Sequence, residues 1–165
     1  MKKILFILCL MAAMTVTVSA QTPWKIITME DVTRHGKNVE WNDETCTATF
    51  KGKWDRWIDV PGIRGDLTEH SKMKMTILMS DCMLIIVVRY KDAEGKTKEL
   101  ATNTLYGSMG KSIEAKKVVN IDLTNGGKTD PEILKNCVGL RVSMAKGVDG
   151  KEEPWICQFG EIVFP

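Results

Sequence analysis

The sequence predicts an all-β domain, an antiparallel β-sandwich of about nine strands with one short helix. Three observations predict it. Apolar and polar residues alternate with a period of two, as where Met73, Met75, Ile77 and Met79 are interleaved with Lys72, Lys74 and Thr76. Turn residues punctuate the chain at short, regular spacing. A helix start stands out at one place only, Thr129-Asp130-Pro131-Glu132, with Asp130 as cap and Pro131 at the first helical position.

The elements follow in order. Residues 24–28 read as a first short strand. Residues 39–41 and 45–50 flank Asn42-Asp43-Glu44 and form a hairpin. Residues 54–60 make a strand stopped by Pro61-Gly62. Residues 73–79 are half-buried with the methionines inward. Residues 83–90 are apolar on both faces, as befits a central strand, and Asp92-Ala93-Glu94-Gly95 turns them back into 98–102. Val119, Ile121 and Leu123 alternate with Asn120 and Asp122 until Asn125-Gly126-Gly127 breaks the strand. The helix lasts a turn or two and ends near Asn136. Val138, Leu140, Val142 and Met144 alternate with Gly139, Arg141 and Ser143, and 155–164 closes the domain.

The first twenty residues read as an export signal. Lys2 and Lys3 are followed by an apolar run over 4–14 and by Val18-Ser19-Ala20, small residues before a cut at Gln21. The run falls short of the about 20 apolar residues of a membrane span. Leu8 stands where a lipoprotein signal wants a small residue, so Cys9 belongs to the discarded leader. The expected organisation is a signal peptide at 1–20 and a single β-sandwich domain at 21–165. No second long apolar stretch follows, which points to a soluble protein, secreted, periplasmic or at the cell surface.

Of the 23 basic residues, Lys2 and Lys3 lie in the leader, and the rest balance the 21 acids. A neutral body lacks the basic excess that draws proteins to phosphate backbones, so nucleic acid is not an expected partner. Cys46, Cys82, Cys137 and Cys157 contain no C-x-x-C pair, which argues against zinc or a redox pair. Export permits disulfides, and four cysteines allow three full pairings. Four buried thiols remain the alternative.

No nucleophile motif surrounds His35 or His70, and neither H-E-x-x-H nor G-x-S-x-G occurs. Asp55 and Asp59 on one strand face stand about 13 Å apart, too far for a retaining carboxylate pair and beyond the usual inverting range. The chain is therefore read as non-enzymatic. No cofactor is expected. Glu30-Asp31, Asp43-Glu44 and Asp92 offer oxygens to calcium, and read more simply as solvated turns.

Two stretches carry a resemblance. Trp54-Asp55-Arg56-Trp57-Ile58-Asp59-Val60-Pro61-Gly62, followed by Gly65-Asp66-Leu67-Thr68, resembles a segment of the galactose-binding-like jelly rolls, and 155–164 resembles their closing strand. With the leader, the chain resembles secreted proteins of Bacteroides-type bacteria that carry a carbohydrate-binding-module-like jelly roll. The resemblance implies a jelly-roll sandwich and a polysaccharide or oligosaccharide partner. The family's closing strand has an acidic pair where this chain has Phe159-Gly160-Glu161, so its structural calcium site does not carry over residue for residue.

Sugars are held by aromatic faces against their C–H surfaces and by planar polar groups on their hydroxyls. Four residues are candidates for that work. Trp57 shares a strand face with Asp55 and Asp59, opposite Trp54, Ile58 and Val60, which are expected in the core. The bland alternative is that a loop buries Trp57. Trp155 follows Glu152-Glu153-Pro154 at a loop–strand junction and either meets ligand or plugs the sandwich end. Tyr106 lies in a glycine-bearing loop as a ligand contact or a loop anchor. Arg89 shares a face with Met83, Ile85 and Val87, where it needs a groove or a buried partner such as Asp or Glu. Trp24 and Trp41 read as core or edge aromatics. The second functional reading is a structural or protein-interaction sandwich among other cell-surface proteins, without a sugar site.

Overall fold

The computed structural model describes residues 26–29, 32, 34–60, 62–105 and 111–164. The leader and its cut, Trp24, the Glu30-Asp31 pair and Tyr106 lie outside the described residues.

Two antiparallel sheets enclose one core. Ten strands and one helix run in the order β1 (Ile26–Ile27), β2 (Val39–Asn42), β3 (Thr47–Phe50), β4 (Trp57–Val60), β5 (Lys72–Ser80), β6 (Cys82–Lys91), β7 (Thr97–Leu105), β8 (Lys117–Asp122), α1 (Pro131–Lys135), β9 (Cys137–Gly147) and β10 (Trp155–Val163). The first sheet is ordered β2-β3-β10-β5-β8, with β1 on the far end of β10, and the second β4-β9-β6-β7. Counted over β3 to β10, one sheet runs first, eighth, third, sixth and the other second, seventh, fourth, fifth. That is the double Greek key of a jelly roll.

Alternation decides which side chains meet between the sheets. On β5, Met73, Met75 and Ile77 are buried while Lys72 and Lys74 are exposed, as the sequence predicts; Met79 is only half-buried. Phe50, Phe159, Ile58, Leu84, Ile86 and Ile121 complete the centre. β6 lies between β9 and β7, and of its residues only Lys91 is exposed. The helix caps as expected: the Asp130 carboxylate accepts the Glu132 N–H at 3.0 Å, and Leu134 anchors the turn in the core. Cys82, Cys137 and Cys157 are free thiols that fill small apolar places. No described helix is long and apolar enough to cross a membrane.

Two expected core residues are not in the core. Trp54 is 71% exposed. The strand predicted for 54–60 begins only at Trp57, because Asp55 takes a positive φ of 54° and turns the backbone before it. Alternation therefore does not extend back to Trp54. Val138 departs in the same way. A register shift between Arg89 and Tyr90 on β6 disturbs the start of β9, and Val138 is 36% exposed.

Candidate functional site

The outer face of the second sheet gathers charged and aromatic side chains from four strands. On β4, Ile58 and Val60 point into the core, so Trp57 and Asp59 point outward. Trp57 pairs with Ser143 and Asp59 with Arg141 on β9. β6 contributes Arg89, which pairs with Gly139 on one side and with Glu99 of β7 on the other. Four strands thus place Trp57, Asp59, Arg141, Arg89 and Glu99 on one surface.

Asp59 is the centre of this array. Its Oδ1 accepts the Arg141 Nε–H at 2.8 Å and its Oδ2 accepts an Arg89 guanidinium N–H at 3.1 Å. Arg141 donates a second N–H to Glu99 at 2.8 Å. The Arg141 guanidinium also lies over the Trp57 ring, 3.6 Å from its centroid. Three strands are thereby locked through one guanidinium. The Arg89 Nε sits 3.4 Å from the Glu99 carboxylate, yet it is buried and makes no hydrogen bond.

A short segment guards the open edge of β4. The Gly36 N–H donates to the Trp57 carbonyl at 2.8 Å, and the Asp59 N–H donates to the Arg34 carbonyl at 2.9 Å. This pairing brings the Arg34 Nε to 3.7 Å from Asp59. On the other side, the Gly65 N–H reaches the Cys137 carbonyl at 2.7 Å, which holds residues 62–65 against the start of β9. Between these two segments lies a cleft of about 400 Å³, lined by Arg34, Asp59, Arg64 and Arg89 together with Val60, Ile63, Val138 and the backbone of Gly139. Gly139 lies opposite Arg89, and a Cβ there would lie 3.9 Å from the guanidinium, an ordinary van der Waals contact.

The four sequence candidates separate. Trp57 and Arg89 share the site, Trp57 half-buried under Arg141 and Arg89 in the ion pair expected of it, with Asp59. Trp155 is elsewhere. Its ring packs on Gly147, where a Cβ would lie 2.1 Å from its Nε1, and its N–H donates to the Lys151 carbonyl at 3.1 Å. Arg56 lies 5.4 Å above the ring. Gly147 is eight residues along β9 from the cleft at Gly139, roughly 26 Å away. Tyr106 lies outside the described residues.

Sequence reasoning missed Trp54, Arg34, Arg64, Arg141 and Glu99. Arg141 carried a signal, because it alternates with buried Val142 and must point outward. Trp54 extends into solvent with Lys53 Nζ 5.3 Å from its ring centroid.

The arrangement can hold and orient a ligand through fixed, planar donors and acceptors. Both carboxylates of the array are committed to guanidinium hydrogen bonds, and His35 Nδ1 bonds the adjacent Gly36 carbonyl at 3.1 Å. No group of three or more His, Cys, Asp or Glu among the described residues is placed to hold a metal. Two of the acidic turns weighed for calcium serve the turns themselves: Asp43 accepts from the Trp41 indole, and Asp92 accepts the Lys96 N–H at 2.7 Å.

No protein-family model matches the chain, and no curated protein matches it. Among solved structures it is similar to the CBM22-1 xylan-binding domain from Paenibacillus barcinonensis Xyn10C, at 11% identity over 85% of this chain and 92% of that domain, with a TM-score of 0.33. At that score the two backbones coincide only in part, and the jelly roll stands on its own strand order.

Proposed function

We propose that this protein is an exported, noncatalytic carbohydrate-binding sandwich whose ligand lies on the outer face of the second sheet. One observation carries the reading. Half-exposed Trp57 stands on a surface with Asp59, Arg89, Arg141 and Glu99, whose mutual hydrogen bonds fix them before any ligand arrives. A sugar offers such a surface an apolar C–H face for the ring and its neighbours, and hydroxyls for the planar groups. Prior fixation lowers the entropy lost on binding. The reading is one of recognition, without covalent chemistry.

A second reading has its own support. Exposed Trp54 is the kind of aromatic that anchors protein–protein contacts, which favours an interaction protein of the cell surface.

Titration of intrinsic tryptophan fluorescence with a panel of polysaccharides tests both. The carbohydrate reading expects a saturable shift that Trp57→Ala abolishes and Trp54→Ala leaves in place, with melting curves showing both variants folded. No response across the panel would sink it. A shift abolished by Trp54→Ala alone would move the sugar site to the exposed loop.

A further inference from the structure

We infer that the cleft beside Asp59 takes an acidic glycan, seating one carboxylate or sulfate group between Arg34 and Arg64. The inference rests on the carbohydrate-binding reading and adds the charge of the sugar. Three guanidinium groups, from Arg34, Arg64 and Arg89, line the cleft with the single carboxylate of Asp59, while the neighbouring Arg141 and Glu99 pair with each other. Two positive charges are left over.

The surplus falls on particular side chains. Arg89 and Arg141 are deeply set, with side chains 17% and 12% exposed, and hydrogen-bond the carboxylates directly. Arg34 is 64% exposed, and its 3.7 Å approach to Asp59 is beyond hydrogen-bond length. Arg64 is exposed and forms no ion pair among the described residues. Two guanidinium forks therefore border a cleft with their donors unspent.

Both are mounted on fixed backbone. The Arg34 carbonyl accepts from Asp59, and Gly65, next to Arg64, is bonded to Cys137. A neutral hydroxyl satisfies one such donor at a time. A carboxylate or sulfate presents two or three acceptors and cancels the excess charge, and guanidinium is the side chain best shaped to meet it. Exposed Val138 on the rim gives the C–H face of the same sugar an apolar contact.

Isothermal titration of the protein at low salt, with two matched pairs of polymers, tests this. One pair is polygalacturonate and its fully methyl-esterified form; the other is dextran sulfate and dextran. The expected result is that the charged member of at least one pair binds about tenfold or more tighter than its neutral partner, and that added salt weakens it. The responding pair identifies carboxylate or sulfate. The double variant R34Q/R64Q, with an unchanged melting curve, should lose about tenfold or more in affinity for the charged polymer.

Equal binding within both pairs, binding of neutral polymers alone, or undiminished affinity in the double variant overturns the acidic-glycan inference and leaves carbohydrate binding standing. Equal binding to polyacrylate, a polyanion without sugar, also overturns it. No binding to any glycan, charged or neutral, overturns both.

Discussion

Asp59 is one carboxylate holding two guanidinium groups, and its removal would leave Arg89 and Arg141 facing each other in a half-dry surface. Breaking a buried pair from one side costs more than the pair contributes, because a charge is stranded. These side chains keep 12–17% of their exposure, so Asp59→Ala is expected to cost about 2–3 kcal/mol in urea unfolding, somewhat under the fully buried figure. A loss below about 0.5 kcal/mol, the usual surface range, would mean that the array is loose. The sequence made part of this legible. Alternation on β4 placed Trp57 and Asp59 facing outward, and the need to neutralise Arg89, set on a face with Met83, Ile85 and Val87, anticipated an acidic partner. The rest was hidden for a physical reason. Arg141 lies 82 residues from Asp59 and 42 from Glu99, so only the strand order brings them together. Trp54 failed in the opposite way, because one positive-φ residue cancelled an alternation that the letters continued to show.

Strand identity was legible wherever one face is core and the other water, as on β5 and β8, because burial enforces the period. Strand ends were less so. β4 starts at Trp57 rather than Trp54, and the pairing of residues 34–36 with its edge carried no apolar pattern at all. That added edge depends on Gly36. A Cβ at this position would meet the Asp55 carbonyl oxygen at 1.9 Å and its carbon at 2.5 Å. Backbone cannot yield as a flexible side chain can, so Gly36→Ala must push the segment off β4. The expected cost is about 1–3 kcal/mol, as for other forced overpacking. Amide exchange should show the Gly36 and Asp59 N–H groups losing protection while β9 and β6 keep theirs. Equal loss of protection throughout the sheet would mean that the segment is part of the global fold.

Over the whole molecule, acid is expected to weaken the fold through its turns. Asp66 accepts the Thr68 hydroxyl at 2.6 Å and the Thr68 N–H at 2.9 Å, and Asp122 accepts the same two groups of Thr124. These bonds, led by the threonine hydroxyl in each case, hold both carboxyls below their ordinary value of 3.8. Because the folded value lies under the unfolded one, the contribution is complete above the unfolded value and lost as pH falls through the folded one. Stability against urea should therefore fall below about pH 4, and Asp66→Asn with Asp122→Asn should make that limb shallower. A limb of unchanged steepness would place the acid sensitivity elsewhere. The jelly-roll order has a further consequence, in time. The last two strands made, β9 and β10, are interior strands of their sheets, each flanked on both sides. A nascent chain that stops short of them lacks the strand that joins β2-β3 to β5-β8 and the strand that joins β4 to β6-β7. Its closing contacts join distant parts of the chain, the topology of slow folders. If the chain is exported as proposed, neither sheet can close before β9 and β10 have been made.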